Sequence, residues 1–373
     1  LNMGGAERVM VWLAERLADE GANVSLITLD DGSKDRMPVS PKVRRIALGL
    51  QKRNNPLKKL TANLVRVIAL RRVFKQQNAD TVVAFMPHES VLSILASMGS
   101  GRRTVISERN APWRRSPGWI WSLLRRTLYR YATVQVAQTK AIGDWMRLKA
   151  KCRNVKIIPN AVQLPLASDL GAVSPESTIE PNRRLMLAVG TKAYQNGFDR
   201  LIEAFAQVAT AHPEWQLVIA GLDPDQEESG LSGSDVMDLV SRKGLAGRVF
   251  FPGTVGNLAD WYTAADLFVL SSRFEGFPNV LIEAMAHGCA SVAMNCETGP
   301  SDIIRHGENG LLVEEQTVDA LATTLSQAMS DESLRQRLAN AGREVRDIFS
   351  PEAVMKLWYS VLGYSKLARD RQK

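Results

Sequence analysis

Twice along this chain, short runs of β-branched and aliphatic residues alternate with longer stretches of helical pattern. The first series is Val24–Thr28, Thr81–Phe85, Thr104–Ser107, Val134–Ala137 and Val155–Ile158; the second is Leu185–Val189, Gln216–Ala220, Val249–Phe251, Leu267–Leu270 and Ser291–Ala293. Strands separated by helices are joined by crossovers, so each series predicts a parallel sheet with helices on its faces. Residues 163–182 contain Pro165, Ser168, Pro175, Ser177 and Pro181 and lose all periodicity, which predicts a linker. The expectation is one α/β domain over 1–162 and a second over 183–349. Ser350-Pro-Glu-Ala-Val354 sets a cap, a first-turn proline and an early acid in succession, so a last helix and tail take up 350–373, with Trp358 as a candidate anchor.

Gly4-Gly5 should follow a strand in such a domain, yet only three residues stand before them, so the first strand is expected to be missing. With 45% apolar and 23% charged residues the composition is that of an ordinary globular protein, and no run of eighteen apolar residues predicts a spanning helix. No secretory leader is read. Cys152, Cys289 and Cys296 are scattered and odd in number, which fits packed thiols in a reducing cytoplasm, and their spacing predicts no metal site. The net charge of +8 hides an asymmetry: residues 1–165 hold 29 Lys and Arg against 11 Asp and Glu, the remainder 18 against 28. The basic half is expected to face something acidic.

Ser271-Ser-Arg-Phe-Glu-Gly-Phe-Pro-Asn-Val-Leu-Ile-Glu-Ala-Met-Ala-His-Gly288 sets Glu275 and Glu283 eight apart across a strand end, a loop and a new helix. Pro278 suits the first helical turn. Ligands of open α/β sheets bind at the carboxyl edge of the strands, which is where Glu275 falls.

This segment is similar to the signature of the retaining family 4 glycosyltransferases, which have the GT-B fold. Other segments match in order: Asn2–Val9 resembles that family's first glycine loop, Val155–Asn160 the strand ending its first domain, and Leu187–Gly190 with Gly197–Phe205 the opening of its second. Thr298-Gly-Pro300 and Gly307–Val313 resemble its late loops. The resemblance covers almost the whole chain. It implies two Rossmann-like, doubly wound parallel-sheet domains facing across a cleft, with the C-terminal helix crossing back. It also implies transfer of a hexosyl or N-acetylhexosaminyl group from a nucleoside-diphosphate sugar, by family frequency a UDP-sugar, with no metal or other cofactor. The implied acceptor is a lipid-linked glycan or lipopolysaccharide in bacterial surface polysaccharide synthesis, at the cytoplasmic face of the inner membrane.

A departing diphosphate and an oxocarbenium-like carbon make electrostatics the main demand, which helix amino termini and cations can meet. The resemblance implies that Glu283 accepts hydrogen bonds from the ribose hydroxyls and that Glu275 holds donor-sugar hydroxyls; the alternatives are a solvent-facing helix glutamate and an ordinary loop carboxylate. Gly276, Phe277, Pro278, Asn279 and Val280 would line the sugar and diphosphate, with Gly4, Gly5 and Gly190 in the glycine loops. In the family an Arg follows the first-strand glycine and a Lys precedes the next; here those places hold Thr191 and Asn196. Lys192 and Arg273 are the substitute cations, or else solvated. Arg109 stands where many relatives present a His; it either binds an acceptor diphosphate or ion-pairs with Glu108 or another carboxylate. His88 either meets the acceptor or caps a helix. Asp223-Pro-Asp225 formally matches a D-x-D metal motif but reads as an acidic surface loop, and Val189–Gly197 lacks the nicotinamide fingerprint.

In Trp119–Arg130, Ile120, Leu124 and Leu128 share one helical face with Arg126 and Arg130 opposite. This is either a sheet-packing helix with a basic outer face or an interfacial helix that, with Trp113, meets an anionic membrane. The pairs Lys52-Arg53, Lys58-Lys59 and Arg71-Arg72 extend the basic surface. No nucleic-acid module is recognisable, so no such partner is expected. The competing readings are a nucleotide-sugar epimerase of the same architecture, which the glutamate context disfavours, and a catalytically impaired nucleotide-sugar binder, favoured by Thr191, Asn196 and the missing strand.

Overall fold

The computed structural model describes residues 5–33, 35, 37–50, 58–114, 118–166, 171–180 and 182–363, and at 58–60 the backbone alone. Gly4, Lys52 and Arg53, and the side chains of Lys58 and Lys59, lie outside what is described. The chain divides into two compact units, 1–160 with 354–373, and 161–353.

In the first unit, α1 (Gly5–Asp19) precedes β1 (Ser25–Thr28) and β2 (Arg44–Ala47), which pair in parallel. Then come α2 (Lys58–Gln76), β3 (Thr81–Phe85), α3 (Pro87–Ser97), β4 (Arg103–Glu108), α4 (Trp119–Leu128), β5 (Val134–Ala137), α5 (Lys140–Leu148) and β6 (Val155–Ile157). Strands β3-β4-β5-β6 form a second parallel sheet in that order. The single sheet expected for this unit is thus two among the described residues. A cavity of about 1090 Å³ is lined by β1, β3 and α1 together.

The second unit runs β7 (Arg184–Val189), α6 (Ala193–Asn196), α7 (Phe198–Val208), β8 (Trp215–Ala220), a hairpin of β9 (Glu227–Glu228) and β10 (Leu231–Ser232), α8 (Gly233–Arg242) and β11 (Val249–Gly253). It continues through α9 (Leu258–Ala264), β12 (Leu267–Leu270), α10 (Asn279–His287), β13 (Ser291–Met294), α11 (Pro300–Ile303), β14 (Leu311–Val313), α12 (Val318–Ser330), α13 (Glu332–Gly342) and α14 (Val345–Ile348). Last comes α15 (Pro351–Leu362), whose residues from Val354 onward belong to the first unit. There Trp358, fully buried, stacks on Phe85 at 6.0 Å.

Six parallel strands of the second unit lie in the order β11-β8-β7-β12-β13-β14. Alternation along each strand sends Met186, Ala188, Leu217 and Ile219 into one core and Leu185, Leu187, Val218 and Ala220 into the other. Leu311–Val313, read as part of a loop, is the edge strand β14, because its three apolar residues pair with β13. The chain builds outward from β7 in one direction and from β12 in the other, so the order reverses between them. Ligands of such sheets bind at that switch point.

The switch point is tightly laced. Gly197, the corner between α6 and α7, has φ +65°, and a Cβ there would lie 2.2 Å from the Ser271 carbonyl oxygen. Gly197→Ala therefore combines an unfavourable backbone region with a backbone clash, and should cost about 2–3 kcal/mol in urea unfolding. A cost below about 0.5 kcal/mol would show that the corner simply yields.

Candidate functional site

Two loops meet at the carboxyl ends of β7 and β12. Ser271 Oγ donates to the Asn196 carbonyl oxygen at 2.7 Å, and the Arg273 N–H donates to that of Gln195 at 2.8 Å. The Arg273 guanidinium folds back over the Tyr194 ring at 4.4 Å and donates to both Asp199 oxygens, at 2.7 and 2.6 Å. Arg273, expected as a cation for a diphosphate or else solvated, is thus neither solvated nor unpaired here. Its fork is committed to Asp199, and a bidentate pair is close to neutral from a distance.

Asn196 Oδ1 accepts from the Lys192 N–H at 3.0 Å and lies 2.5 Å from where a Cβ on Gly190 would sit. Asn196 therefore braces the turn after β7, and Gly190 is glycine to make room for it. Lys192 stands at the amino end of α6 with Nζ 3.9 Å from Glu228 Oε1 on the β9–β10 hairpin. The solvated alternative for Lys192 is thus replaced by a loose, half-buried ion pair.

Glu275 is half-buried in the β12–α10 loop. Gly299, at φ +106°, is where that loop meets Thr298-Gly-Pro300: a Cβ there would lie 2.7 Å from Pro278 Cδ and 3.5 Å from Glu275 Cβ. Burial, and then the Glu275 charge, push the Cys296 thiol up to about 12. Pro278 sits just before α10, which begins at Asn279, rather than inside its first turn. Phe277 is buried edge-on to Phe349 at 5.6 Å, and Gly276, Asn279 and Val280 are half-buried around the helix start.

Glu283 is only 6% exposed, which removes the solvent-facing alternative. The Tyr262 hydroxyl donates to its Oε2 at 3.2 Å, and His287 Nδ1 lies 2.8 Å from its carbonyl oxygen. Tyr262, Asp199 and Glu228 are site neighbours that sequence reasoning misses, since nothing in their spacing ties them to the motif.

In the first unit, Glu108 closes β4 and Arg109 follows it. Glu108 is fully buried; Arg125 Nη1 lies 3.4 Å from its Oε2, and the Tyr129 hydroxyl donates to it at 3.0 Å. The ion pair between Arg109 and Glu108 is therefore not the one that forms. Burial pushes the Glu108 carboxyl up, against the pull of Arg125. Arg109 is 5% exposed, lies 4.6 Å over the Phe85 ring, and donates through Nη1 to Asn160 Oδ1 at 2.7 Å. Its Nε and Nη2 have no acceptor among the described residues, and burial pulls its pKa down to about 9. His88 lies in the first turn of α3, edge-on to Trp121 at 4.4 Å. Gly5 opens α1. Asp223 and Asp225 are exposed, with the Asp225 N–H donating to Asp223 Oδ1 at 3.0 Å in a local turn. All three cysteines are buried and free. Among the described residues no helix is long and apolar enough to cross a membrane.

Residues 3–165 match the family model Glycosyltransferase Family 4, and residues 172–345 match Glycosyl transferases group 1. The chain is 26% identical to an uncharacterized glycosyltransferase of Haemophilus influenzae, over 97% of each protein. It is also 26% identical to the GalNAc-alpha-(1->4)-GalNAc-alpha-(1->3)-diNAcBac-PP-undecaprenol alpha-1,4-N-acetyl-D-galactosaminyltransferase of Campylobacter jejuni, over 99% of this chain and 97% of that one. The crystal structure of Anabaena Alr3699/HepE in complex with UDP superposes with a TM-score of 0.76 at 20% identity, covering 97% of each chain. These matches favour a transferase over an epimerase. Both halves of the sequence match glycosyltransferase models and the two parallel-sheet units are those of a GT-B protein, so this chain belongs to the family 4 glycosyltransferases.

Proposed function

We propose that the chain is a retaining, metal-independent glycosyltransferase that moves a hexosyl or N-acetylhexosaminyl group from a UDP-sugar to a lipid-linked glycan or lipopolysaccharide acceptor. It would work in surface polysaccharide synthesis at the cytoplasmic face of the inner membrane. The observation that carries this reading is the unit at the switch point, with Glu275 half-buried on the loop and Glu283 buried in the helix that follows. An ionised carboxylate only accepts, and a ribose diol supplies two donors, so Glu283, steadied by Tyr262, suits the nucleoside. Glu275 suits the sugar hydroxyls. The amino end of α10 and Lys192 offset the departing diphosphate, with Lys192 exchanging Glu228 for phosphate. Arg109, with two donors unspent, and His88 are assigned to the acceptor. UDP in the HepE structure and the PP-undecaprenol glycan in the Campylobacter enzyme's name support the donor and acceptor classes.

Lys192→Ala should raise the dissociation constant for UDP about tenfold by calorimetry, the loss of one charge-assisted contact. An unchanged constant would assign the diphosphate charge elsewhere. The overall reading is tested by incubating the protein with UDP-sugars and lipid-diphosphate acceptors and reading product mass and anomeric configuration. An inverted product sinks retention, loss of transfer on chelation sinks metal independence, and transfer only from other nucleotides sinks the UDP assignment.

A further inference from the structure

Helices α2 and α4 carry one outward pattern twice. Leu64, Val65 and Ile68 on α2, and Trp119, Ile120 and Leu123 on α4, are all about half exposed or more, with Leu64 at 61% and Trp119 at 78%. Each triad has the spacing i, i+1, i+4 and so forms one helix face. Seven and eleven residues beyond the first member, on that same face, stand exposed cations: Arg71 and Lys75 on α2, Arg126 on α4, and Arg130 just past its end.

The inward faces are already used. Leu70 and Phe74 of α2, Leu92 and Ala96 of α3, and Trp121 of α4 share one cluster, while Leu124 and Leu128 pack into another. Ile120, expected to share a face with those leucines, turns outward with Trp119. Both helices lead by short links into the amino ends of parallel strands, α2 into β3 and α4 into β5, so they run the same way. Their apolar ends therefore lie at one end of the helical layer and their cations at the other. Neither 51–79 nor 109–143 contains an acidic side chain.

Single exposed leucines are ordinary, but six large apolar side chains in duplicated register are not. A second copy of this chain would bring like charges together on the face. An anionic bilayer uses both halves of the pattern: aromatic and aliphatic side chains enter the boundary between headgroups and acyl chains, and guanidinium and ammonium groups meet lipid phosphates. We propose that the α2–α4 face docks this enzyme on an anionic lipid surface through Leu64, Val65, Ile68, Trp119, Ile120 and Leu123, with the flanking cations on the headgroups. The proposal deepens the membrane placement above and rests on it, but not on the donor chemistry.

Flotation of the whole protein with vesicles containing phosphatidylglycerol, against pure phosphatidylcholine, tests it. Wild type should bind the anionic vesicles and release in about 0.5 M salt. Leu64→Glu with Ile68→Glu, or Trp119→Glu with Leu123→Glu, should lower the bound fraction about tenfold, and Arg126→Gln with Arg130→Gln should remove the salt dependence. Unchanged UDP affinity and melting temperature in the variants would establish that the loss belongs to this face and not to folding or the donor site. Binding that is equal in wild type and variants, or equal on neutral and anionic vesicles, overturns the proposal. So does a dimer that the same substitutions dissociate in the absence of any vesicle binding. Vesicle binding by a wild-type protein that fails to bind UDP would sink the donor reading and support this one.

Discussion

Glu275→Ala should lower kcat/KM for sugar transfer by about 10²–10³-fold while leaving the melting temperature and UDP affinity near wild type. The side chain is half-buried and sits on a loop held from both sides by backbone, by Arg273 to Gln195 and by the close approach of Gly299 to Pro278, so its removal opens little core. Its proposed work is on the sugar as positive charge develops, and oriented groups near such a centre contribute on that scale. The division between unchanged UDP binding and lost transfer separates this role from a structural one. Wild-type-like turnover in the variant would remove Glu275 from the catalytic machinery, and a parallel loss of UDP affinity would make it a nucleotide contact.

Arg125→Ala should destabilise the first unit by about 3–5 kcal/mol at neutral pH, because it leaves the Glu108 carboxylate buried without its cation. Burial already pushes that carboxyl above its ordinary value of 4.5, and without Arg125 nothing but the Tyr129 hydroxyl and nearby backbone oppose the rise. The sign follows from linkage. A folded-state value raised above the unfolded one contributes stability that is fully present below the unfolded value and is lost as pH rises through the folded value. The variant should therefore be more stable at about pH 4.5 than at about pH 8, relative to wild type under the same conditions. Glu108→Gln together with Arg125→Met should recover most of the loss, since a neutral amide removes the uncompensated charge. Urea unfolding of the two variants at both pH values checks this; a loss independent of pH and not relieved in the double variant would mean that Arg125 acts by packing over Trp145 and by its bond to the Pro112 carbonyl oxygen.

The strands most legible in the sequence are those buried on both faces. β8, β12 and β13 are covered by helices on either side, so every residue in them is buried and each reads as an apolar run, broken only by Gln216 in β8 and by Ser291 at the start of β13. β2 escapes such reading because it carries Arg44 and Arg45, is half exposed, and is a strand only through its pairing with β1. In α4 the period is plain, but which flank of the apolar arc faces the sheet is decided by Trp121 and Leu124 fitting against α3, which leaves Trp119 and Leu123 outside.

Sequence alone determined the α/β alternation, the family, and the loop that carries Glu275 and Glu283, because a strand, its loop and the next helix are contiguous and their spacing is local physics. Tertiary structure alone decided where the charges go. Asp199 takes Arg273 from 74 residues away, Tyr262 takes Glu283 from 21, and Arg125, not Arg109, takes Glu108. Pairing depends on distance through space and on what burial removes from water, and neither is written in separation along the chain.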